Sequence, residues 1–320
     1  MPPIQPPLVA GSSDRWSTTV PACAVAVGNF DGVHRGHAAI VARLCAAARR
    51  LGIPSVVLSF DPHPATILRP ATAPVPLTTA RRRANLLEAL GVDAVLVQPA
   101  DRDLMALSAE RFFTDVLRGR LGARAVVEGA DFRFGAGRSG DVELLGRLCA
   151  ADAVEFETVS PVVVDGLPVS SSRVRGLVAA GAVRDAADLL TAPYRLSGRV
   201  ATGARRGAAL GFPTANLADV ATLLPGVGVY AGRAVLPDGA IHPAAIHVGP
   251  NVSFGETRVT VEAHLIGFSG SLYGAALDVD FLDRLRDTVR FDSIDALRTQ
   301  LAADAARAFE VAGAAPPPRG

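Results

Sequence analysis

The chain contains no lysine, so its fixed positive charges come from arginine. This absence excludes a phosphate-binding loop that depends on a lysine, and it excludes an enzyme that forms a Schiff base through a lysine. Any handling of phosphate groups must therefore use backbone N–H groups, arginine, histidine or a metal ion.

The chain is also poor in cysteine, with only Cys23, Cys45 and Cys149 in its sequence. An odd number of widely separated cysteines does not suit a disulfide framework and favours reduced thiols, so we expect a cytoplasmic location. No apolar run is long enough to span a bilayer, and the proline-rich first 21 residues lack the apolar core of a signal peptide.

The remaining composition is that of a globular protein. The chain has 320 residues, of which 49% are hydrophobic, and its net charge is +1. This length suits two domains. The near-zero charge gives no indication of a nucleic-acid or membrane partner, so small-molecule substrates are expected. The sequence leaves the oligomeric state open.

The most informative segment is the loop Gly28–His37, which reads GNFDGVHRGH. It lies between an apolar strand at 22–27 and an amphipathic helix at 38–51. The N-terminus of a helix attracts phosphate groups, and His34 and His37 add donors that could stabilise charge during phosphoryl transfer. Two alternatives remain open at this point: a structural histidine pair, and a metal site of which only two ligands are visible.

Alternating strand and helix signals continue through the first half of the chain. Buried strands are predicted at 54–60, 93–97, 125–127 and 154–159, and helices at 79–90, 108–121 and 141–150. This alternation predicts a parallel sheet with helices on both faces. Ligands bind such sheets beyond the carboxyl ends of the strands, which is where the histidine loop lies.

The pattern changes after about residue 190. Short strands rich in Val and Gly are predicted at 194–200, 228–235, 244–248, 258–266 and 276–281. They indicate a small antiparallel barrel, followed by a helix that Ser293 caps. We therefore predict domains at 19–185 and 186–310, with a disordered arm at 1–18 and a disordered tail at 311–320.

Three further segments of the first half carry candidate polar residues. Asp61 and His63 follow a predicted strand in Ser59–Pro64, although an ordinary proline turn would have the same sequence. Gly129–Gly135 contains a carboxylate, an arginine and aromatic residues, and could equally be a packed loop with a surface salt bridge. Ser170–Arg175 begins a helix and could bind phosphate, or could be a plain N-cap followed by solvated arginines.

The second half has a glycine-rich segment of its own at Gly203–Leu217. Its Pro213 fixes the chain just before Thr214 and Asn216, whose side-chain oxygens suit Mg²⁺. Without its context, this short segment could be a simple turn.

Glu262 lies in a strand where apolar and polar residues alternate, so it shares one face with Thr260 and His264. A solvated outer face is the ordinary interpretation of such a pattern.

Considered together, these motifs resemble those of the bacterial bifunctional riboflavin kinase/FMN adenylyltransferase (FAD synthetase) family. The histidine loop is similar to its G-x-F-D-G-x-H-x-G-H motif, and Gly203–Leu217 is similar to its G-x-x-L-G-x-P-T-A-N motif. The resemblance implies a Rossmann-like nucleotidylyltransferase domain followed by a riboflavin kinase barrel with a C-terminal helix. It also implies that ATP phosphorylates riboflavin to FMN and then adenylylates FMN to FAD and pyrophosphate.

The resemblance also implies roles for individual residues. The implied catalytic residues are Glu262, His34 and His37. The implied Mg²⁺ ligands are Thr214 and Asn216. The implied residues for binding ATP or flavin are Gly28, Asn29, Phe30, Gly36, Asp61, His63, Asp131, Ser171, Arg175, Gly203, Gly207, Asn251, Arg284 and Arg286.

The chain departs from the family pattern at several positions. Ser172 and Val174 replace the usual Thr and Ile, and Pro99–Met105 lacks the aromatic residues common there. In the kinase half the departures are Ala208, Val252, Ser253 and Thr288. Three functions therefore remain open: one enzyme with both activities, an enzyme with one working activity or another substrate, and a non-catalytic binder of flavin or nucleotide.

Overall fold

The computed structural model describes residues 10–11, 22–203, 206–250 and 257–314. Contacts between residues divide the chain into two compact units, and the division falls after Ser170. This division precedes the predicted boundary at 185. Among the described residues, no helix is both long and apolar enough to cross a membrane.

The first unit is built on a parallel sheet of six strands in the order β1-β4-β3-β2-β5-β6. Its strands are β1 Ala10–Gly11, β2 Cys23–Val27, β3 Ser55–Phe60, β4 Ala94–Gln98, β5 Ala123–Gly129 and β6 Glu155–Val159. Every residue of β2 and β3 is buried, as expected for central strands that are covered on both faces.

Helices alternate with these strands and contribute to one apolar core. They are α1 Arg35–Leu51, α2 Pro64–Leu68, α3 Ala80–Ala89, α4 Arg102–Ala106, α5 Ala109–Arg111 and α6 Val142–Ala151. A π-helical segment, Phe112–Arg120, continues α5. Short 3₁₀ turns lie at Pro70–Thr72 and Ala136–Arg138, and a hairpin of β7 Val163–Val164 and β8 Leu167–Pro168 ends the unit.

The second unit is a closed antiparallel barrel with strand order β10-β13-β12-β11-β14-β9. Its strands are β9 Tyr194–Ala201, β10 Ala215–Ala218, β11 Gly228–Val235, β12 Ile241–Gly249, β13 Thr260–Leu265 and β14 Ala276–Arg286. Its helices are α7 Ser171–Ala179, α8 Val183–Leu189, α9 Arg206–Ala209 and α10 Ile294–Ala314. The long helix α10 packs against β11, β12 and β14.

The predicted order of a parallel sheet, then an antiparallel barrel, then a C-terminal helix is confirmed. Three details were wrong. Residues 10–11 of the predicted arm add an edge strand to the sheet, and residues 311–314 of the predicted tail are helical. The sequence reasoning also missed β10, which is only four residues long. The rest of the arm and the tail lies outside the described residues.

Candidate active sites

The first candidate site contains two stacked histidines at the start of α1. His34 is the N-cap residue of this helix, and its Nδ1 accepts a hydrogen bond from the His37 N–H at 3.3 Å. In return, His37 Nδ1 accepts from the His34 N–H at 3.3 Å. The ring centroids are 3.6 Å apart. The capping interactions therefore hold both rings in fixed orientations.

These contacts also fix the protonation of the two rings. Because each Nδ1 accepts a hydrogen bond, a neutral ring carries its proton on Nε2. Burial lowers the pKa of His34 to about 4, against the opposing effects of Asp31 and Asp131. Burial also places the pKa of His37 well below its usual range, and the positive charge of Arg83 adds to this effect. Both rings are therefore neutral near pH 7, and each offers an Nε2–H donor.

The loop before the histidines has a strained backbone that a buried carboxylate holds in place. Phe30 and Val33 have φ angles of 48° and 44°, a conformation that is unusual for a β-branched residue such as valine. The Asp31 side chain is only 3% exposed and accepts hydrogen bonds from the N–H groups of Leu77 and Thr78 at 2.9–3.0 Å. Sequence reasoning gave Asp31 no role, and the structure makes it the anchor of this loop.

Two glycines of the loop allow aromatic rings to approach the backbone. A Cβ atom on Gly36 would lie 3.0 Å from His34 Cε1, closer than real Cβ contacts normally come. A Cβ atom on Gly28 would lie 3.2 Å from the Phe30 ring. Both glycines were predicted as ligand contacts, and the structure gives each of them a packing reason as well.

A second loop joins the first at the carboxyl end of the sheet. The side-chain amide of Asn29 lies 2.9 Å from His63 Nε2, and His63 Nδ1 accepts from the Ala65 N–H at 3.0 Å. His63 thereby caps α2, so this segment is more than a proline turn. Asp61 is exposed beside it, and its N–H donates to the Gln98 carbonyl at 3.1 Å. The structure thus brings Asn29 and His63 together.

In the loop after β5, the two charged residues Asp131 and Arg133 have different partners. Asp131 is exposed and is close enough to His34 to raise the pKa of that ring, in opposition to the effect of burial. Arg133 instead pairs with Asp141 at 3.0 Å, and both side chains are partly exposed. The surface salt bridge that was one of the two sequence interpretations is therefore present. Of the two charged residues Asp131 and Arg133, it is Asp131 that acts on the histidine pair.

The structure does not test three of the predicted contact residues at this site. Ser171 and Arg175 are on α7, a helix that clusters with the second unit rather than the first. Asn251 lies outside the described residues, as do Val252 and Ser253.

The second candidate site is a cavity of about 380 Å³ in the barrel. Six residues predicted from the sequence line this cavity together: Gly203, Gly207, Thr214, Asn216, Glu262 and Arg286. The ordinary interpretation of Glu262, a solvated outer face, is therefore wrong. Thr288 also lines the cavity.

Glu262 accepts a hydrogen bond from a threonine hydroxyl. Thr214 Oγ1 donates to Glu262 Oε2 at 3.1 Å, whereas Thr260 Oγ1 lies 3.2 Å from the Gly249 carbonyl oxygen and 3.4 Å from Glu262 Oε1. Asn216 is the residue opposite Glu262 in the β10–β13 pair. Because the Thr214 hydroxyl donates its proton to the carboxylate, its oxygen lone pairs remain for another ligand. This oxygen-rich set of side chains fits a hard cation such as Mg²⁺.

The glycines of this site are needed for close approach. A Cβ atom on Gly203 would lie 2.3 Å from Asn216 Nδ2, and one on Gly207 would lie 2.4 Å from the Phe212 carbonyl oxygen. Gly203 therefore allows the Asn216 side chain to lie directly against the backbone in the lining of the cavity.

An ion pair also lines the cavity. Arg286 Nη2 lies 2.7 Å from Asp304 Oδ2, which ties β14 to α10, and its guanidinium lies 5.7 Å from the centre of the Phe291 ring. Arg284 behaves differently. Its Nη2 donates to the Val227 carbonyl at 2.7 Å, and it does not line the cavity. Of the predicted pair, Arg286 lines this cavity, and the ligand contact of Arg284 stays a prediction.

The chain matches two family models. Residues 17–173 match a model described as FAD synthetase, and residues 190–312 match one described as riboflavin kinase. A bifunctional riboflavin kinase/FMN adenylyltransferase of Pseudomonas fluorescens is 40% identical over 91% of this chain and 93% of that protein. Enzymes of the same name from Escherichia coli strain K12 and Haemophilus influenzae are 35% and 32% identical. They cover 92% and 90% of this chain and 94% of each relative.

The chain belongs to the bifunctional riboflavin kinase/FMN adenylyltransferase family. A crystal structure described as that of a macrolide-efflux protein from Streptococcus pneumoniae shares its fold, with a TM-score of 0.82 and 29% identity. The match covers 94% of this chain and 98% of that one. That description applies to the streptococcal protein, and the two chains share the fold.

In this member of the bifunctional family, the cavity contains a residue that sequence reasoning missed. His247 lies on β12 directly opposite Glu262 and lines the same cavity. Burial lowers the pKa of His247, with Glu262 opposing that effect and Arg286 adding to it. The alternation of buried Ile246 and Val248 around it could have indicated that His247 shares the face of Glu262. Among the described residues, no group of three or more His, Cys, Asp and Glu could hold a metal ion.

Proposed function

We propose that the two units carry out successive steps of flavin cofactor synthesis. The barrel unit phosphorylates riboflavin with ATP to give FMN, and the sheet unit transfers AMP from a second ATP to FMN, which gives FAD and pyrophosphate. The observation that carries this division is the Thr214–Glu262 hydrogen bond inside the barrel cavity. This contact between a carboxylate and a hydroxyl lies in the unit without the histidine pair, which supports assigning the kinase step to the barrel.

In the kinase step, Glu262 is the general base. Its carboxylate takes the proton of the terminal ribityl hydroxyl, and the oxygen then attacks the γ-phosphorus of ATP. The bond from the γ-phosphorus to the bridging oxygen breaks, and its electron pair leaves with ADP. The hydroxyl of Thr214 orients the carboxylate, because it donates a hydrogen bond to Oε2.

Mg²⁺ fits the same part of the cavity. Thr214 and Asn216 would hold the ion through their side-chain oxygens, and phosphate and water oxygens would complete its coordination. When bound, the ion would neutralise charge on the β- and γ-phosphates of ATP.

In the adenylyl step, the FMN phosphate attacks the α-phosphorus of ATP directly. The bond between that phosphorus and the bridging oxygen breaks, and pyrophosphate leaves with the electron pair, so no covalent enzyme intermediate is required. The Nε2–H groups of His34 and His37 donate to phosphate oxygens whose negative charge grows in the transition state. Because both rings stay neutral, they act as hydrogen-bond donors rather than as a source of protons.

The other residues of this site orient the ligands. Asn29 and His63 act together through their side-chain contact. Asp61 and Asp131 are exposed in loops that follow strands at the same edge of the sheet. The roles proposed for Ser171 and Arg175, which are contacts with the triphosphate, rest on the motif resemblance.

We also propose a cytoplasmic location and small-molecule ligands alone. The three cysteines are free and buried, which suits a reducing compartment. A net charge of +1 offers no attraction for nucleic acid or for an anionic membrane.

One assay separates the three functions that the sequence left open. Purified protein is incubated with riboflavin, ATP and Mg²⁺, and the flavins are resolved by chromatography. FMN followed by FAD supports the proposal, whereas FMN alone means that only the kinase is active. Unchanged riboflavin, with FMN also left unchanged in a parallel reaction, would mean a non-catalytic binder.

A further inference from the structure

A buried arginine links the two loops of the histidine site. Arg83 lies on α3 and is only 4% exposed. Its Nη1 donates to the Asn29 carbonyl at 2.9 Å, and its Nη2 donates to the Phe60 carbonyl at 3.1 Å. Asn29 belongs to the histidine loop, and Phe60 immediately precedes Asp61. One guanidinium therefore fixes the backbone of both loops.

The charge of this arginine is not neutralised by an ion pair. Among the described residues, no carboxylate lies within 4.0 Å of the Arg83 guanidinium, and its Nε has no hydrogen-bond partner. Asp31 and Asp61 act on it only from a greater distance, and burial lowers the pKa of Arg83. A buried cation without a paired anion is costly to a fold. The phosphate groups of a bound ligand would supply the missing negative charge.

We propose that Arg83 is a positioning residue for adenylyl transfer. Its planar guanidinium holds the two carbonyls so that Asn29, His63 and the histidine pair face one phosphate site, and its charge favours an anionic ligand there. This inference rests on the proposed function of the first unit. A lysine could supply the charge but not the two-pronged donor geometry, so the two contributions are separable.

The test compares three full-length variants in the two half-reactions. Arg83→Met removes the charge and the donors, Arg83→Lys keeps the charge alone, and Arg81→Met is the control, because Arg81 is exposed on the same helix. Adenylylation is measured with FMN and ATP, and kinase activity with riboflavin and ATP, in the same preparation. The kinase reaction reports whether each preparation is intact.

We expect Arg83→Lys to lower the kcat of adenylylation about tenfold or more, with little change in the KM for ATP. We expect Arg83→Met to lower kcat at least as much and also to raise this KM. The kinase rate should stay at the wild-type level in all variants. Adenylylation within about threefold of wild type in Arg83→Met would overturn the proposal. Equal kinetic losses in both Arg83 variants, together with early thermal unfolding of the first unit, would overturn it in favour of a purely structural role.

The pH profile provides a readout that a purely structural role would not change. Among the described residues, the charged groups that act on the histidine pair are Arg83 from α3, Asp31 from the loop and Asp131 from the segment after β5. Removing the arginine charge makes His37 easier to protonate. In the pH profile of adenylylation, the loss of activity at low pH should therefore begin at higher pH in Arg83→Met and at the wild-type pH in Arg83→Lys. An acid limb that is identical in Arg83→Met and wild type would contradict the electrostatic part of the proposal.

If the wild-type protein forms no FAD from FMN, the proposed function of the first unit fails. That failure is visible before any variant is measured, so it is distinct from a failure of the inference about Arg83.

Discussion

The Thr214 hydroxyl, just before β10, donates a hydrogen bond to Glu262 on β13 across 3.1 Å. The two residues are far apart in the sequence, and each was predicted for a different task. Their contact places the proposed metal ligand and the proposed base next to each other. A hydroxyl nucleophile and the γ-phosphate would consequently meet at this point in the cavity.

Glu262→Gln should abolish FMN formation and leave the conversion of FMN to FAD unchanged. The amide keeps the shape of the side chain but cannot accept the hydroxyl proton, so the kinase rate should fall about 10²- to 10⁴-fold. Separate assays of the two half-reactions by flavin chromatography measure this. Glu157→Gln, in the first unit, is a suitable control. Equal loss of both activities in Glu262→Gln would contradict the division of labour between the units.

Thr214→Val should raise the Mg²⁺ concentration needed for half-maximal kinase activity. Valine keeps the branched shape but removes the oxygen that would ligate the ion and the hydrogen bond that orients Glu262. Thr214→Ser keeps the hydroxyl and should stay near the wild-type value. A Mg²⁺ titration at saturating riboflavin checks both variants. An unchanged Mg²⁺ requirement in Thr214→Val would show that this residue is not a ligand.

Gly36→Ala should impair adenylylation without affecting the kinase. The added Cβ would lie 3.0 Å from His34 Cε1, so the ring must shift by a few tenths of an ångström from its present position. We expect a loss of about 10²-fold, similar to the removal of one oxyanion donor. Gly176→Ala is the matched control, because a Cβ there meets nothing within 4 Å. Full adenylylation activity in Gly36→Ala would mean that the orientation of the His34 ring is unimportant.

Acidification should destabilise the first unit through its neutral histidines. The pKa of His34 falls from its ordinary 6.5 to about 4 in the folded state, so the unfolded state binds more protons between these values. Stability is therefore unaffected above 6.5 and decreases as the pH falls towards 4, by roughly 3 kcal/mol for this ring alone. Hydrogen exchange of β2 and α1 across this pH range measures the effect. His34→Asn should flatten the pH dependence, and an equally steep curve in this variant would contradict the assignment.

The sequence predicted the elements that repeat a clear pattern. The buried strand Ser55–Phe60 is predicted by a short run of mostly apolar residues. The strand around Glu262 is predicted by the alternation of apolar and polar residues. The strand Ala215–Ala218 was missed because four residues are too few for a period, and because a motif with turn residues leads into it.

The contacts that complete each site could not be predicted in this way. Arg83 contacts Asn29, and His247 faces Glu262, only because the chain folds residues from distant segments together. Arg284 and Arg286 have the same spacing in the sequence as two residues on one strand face, yet only Arg286 lines the cavity. A register irregularity between β11 and β14 near these residues accompanies this difference. Such local irregularities have no signal in a single sequence.

The most direct test of the account is a complementation experiment between the two halves. Glu262→Gln and a His34→Ala/His37→Ala double variant are each incubated with riboflavin, ATP and Mg²⁺, alone and mixed. We expect unchanged riboflavin with the first variant, FMN alone with the second, and FAD only in the mixture. Formation of FAD by either variant alone would contradict the division of activities between the two units. So would a mixture that accumulates FMN but forms no FAD, although each variant performs its own half-reaction.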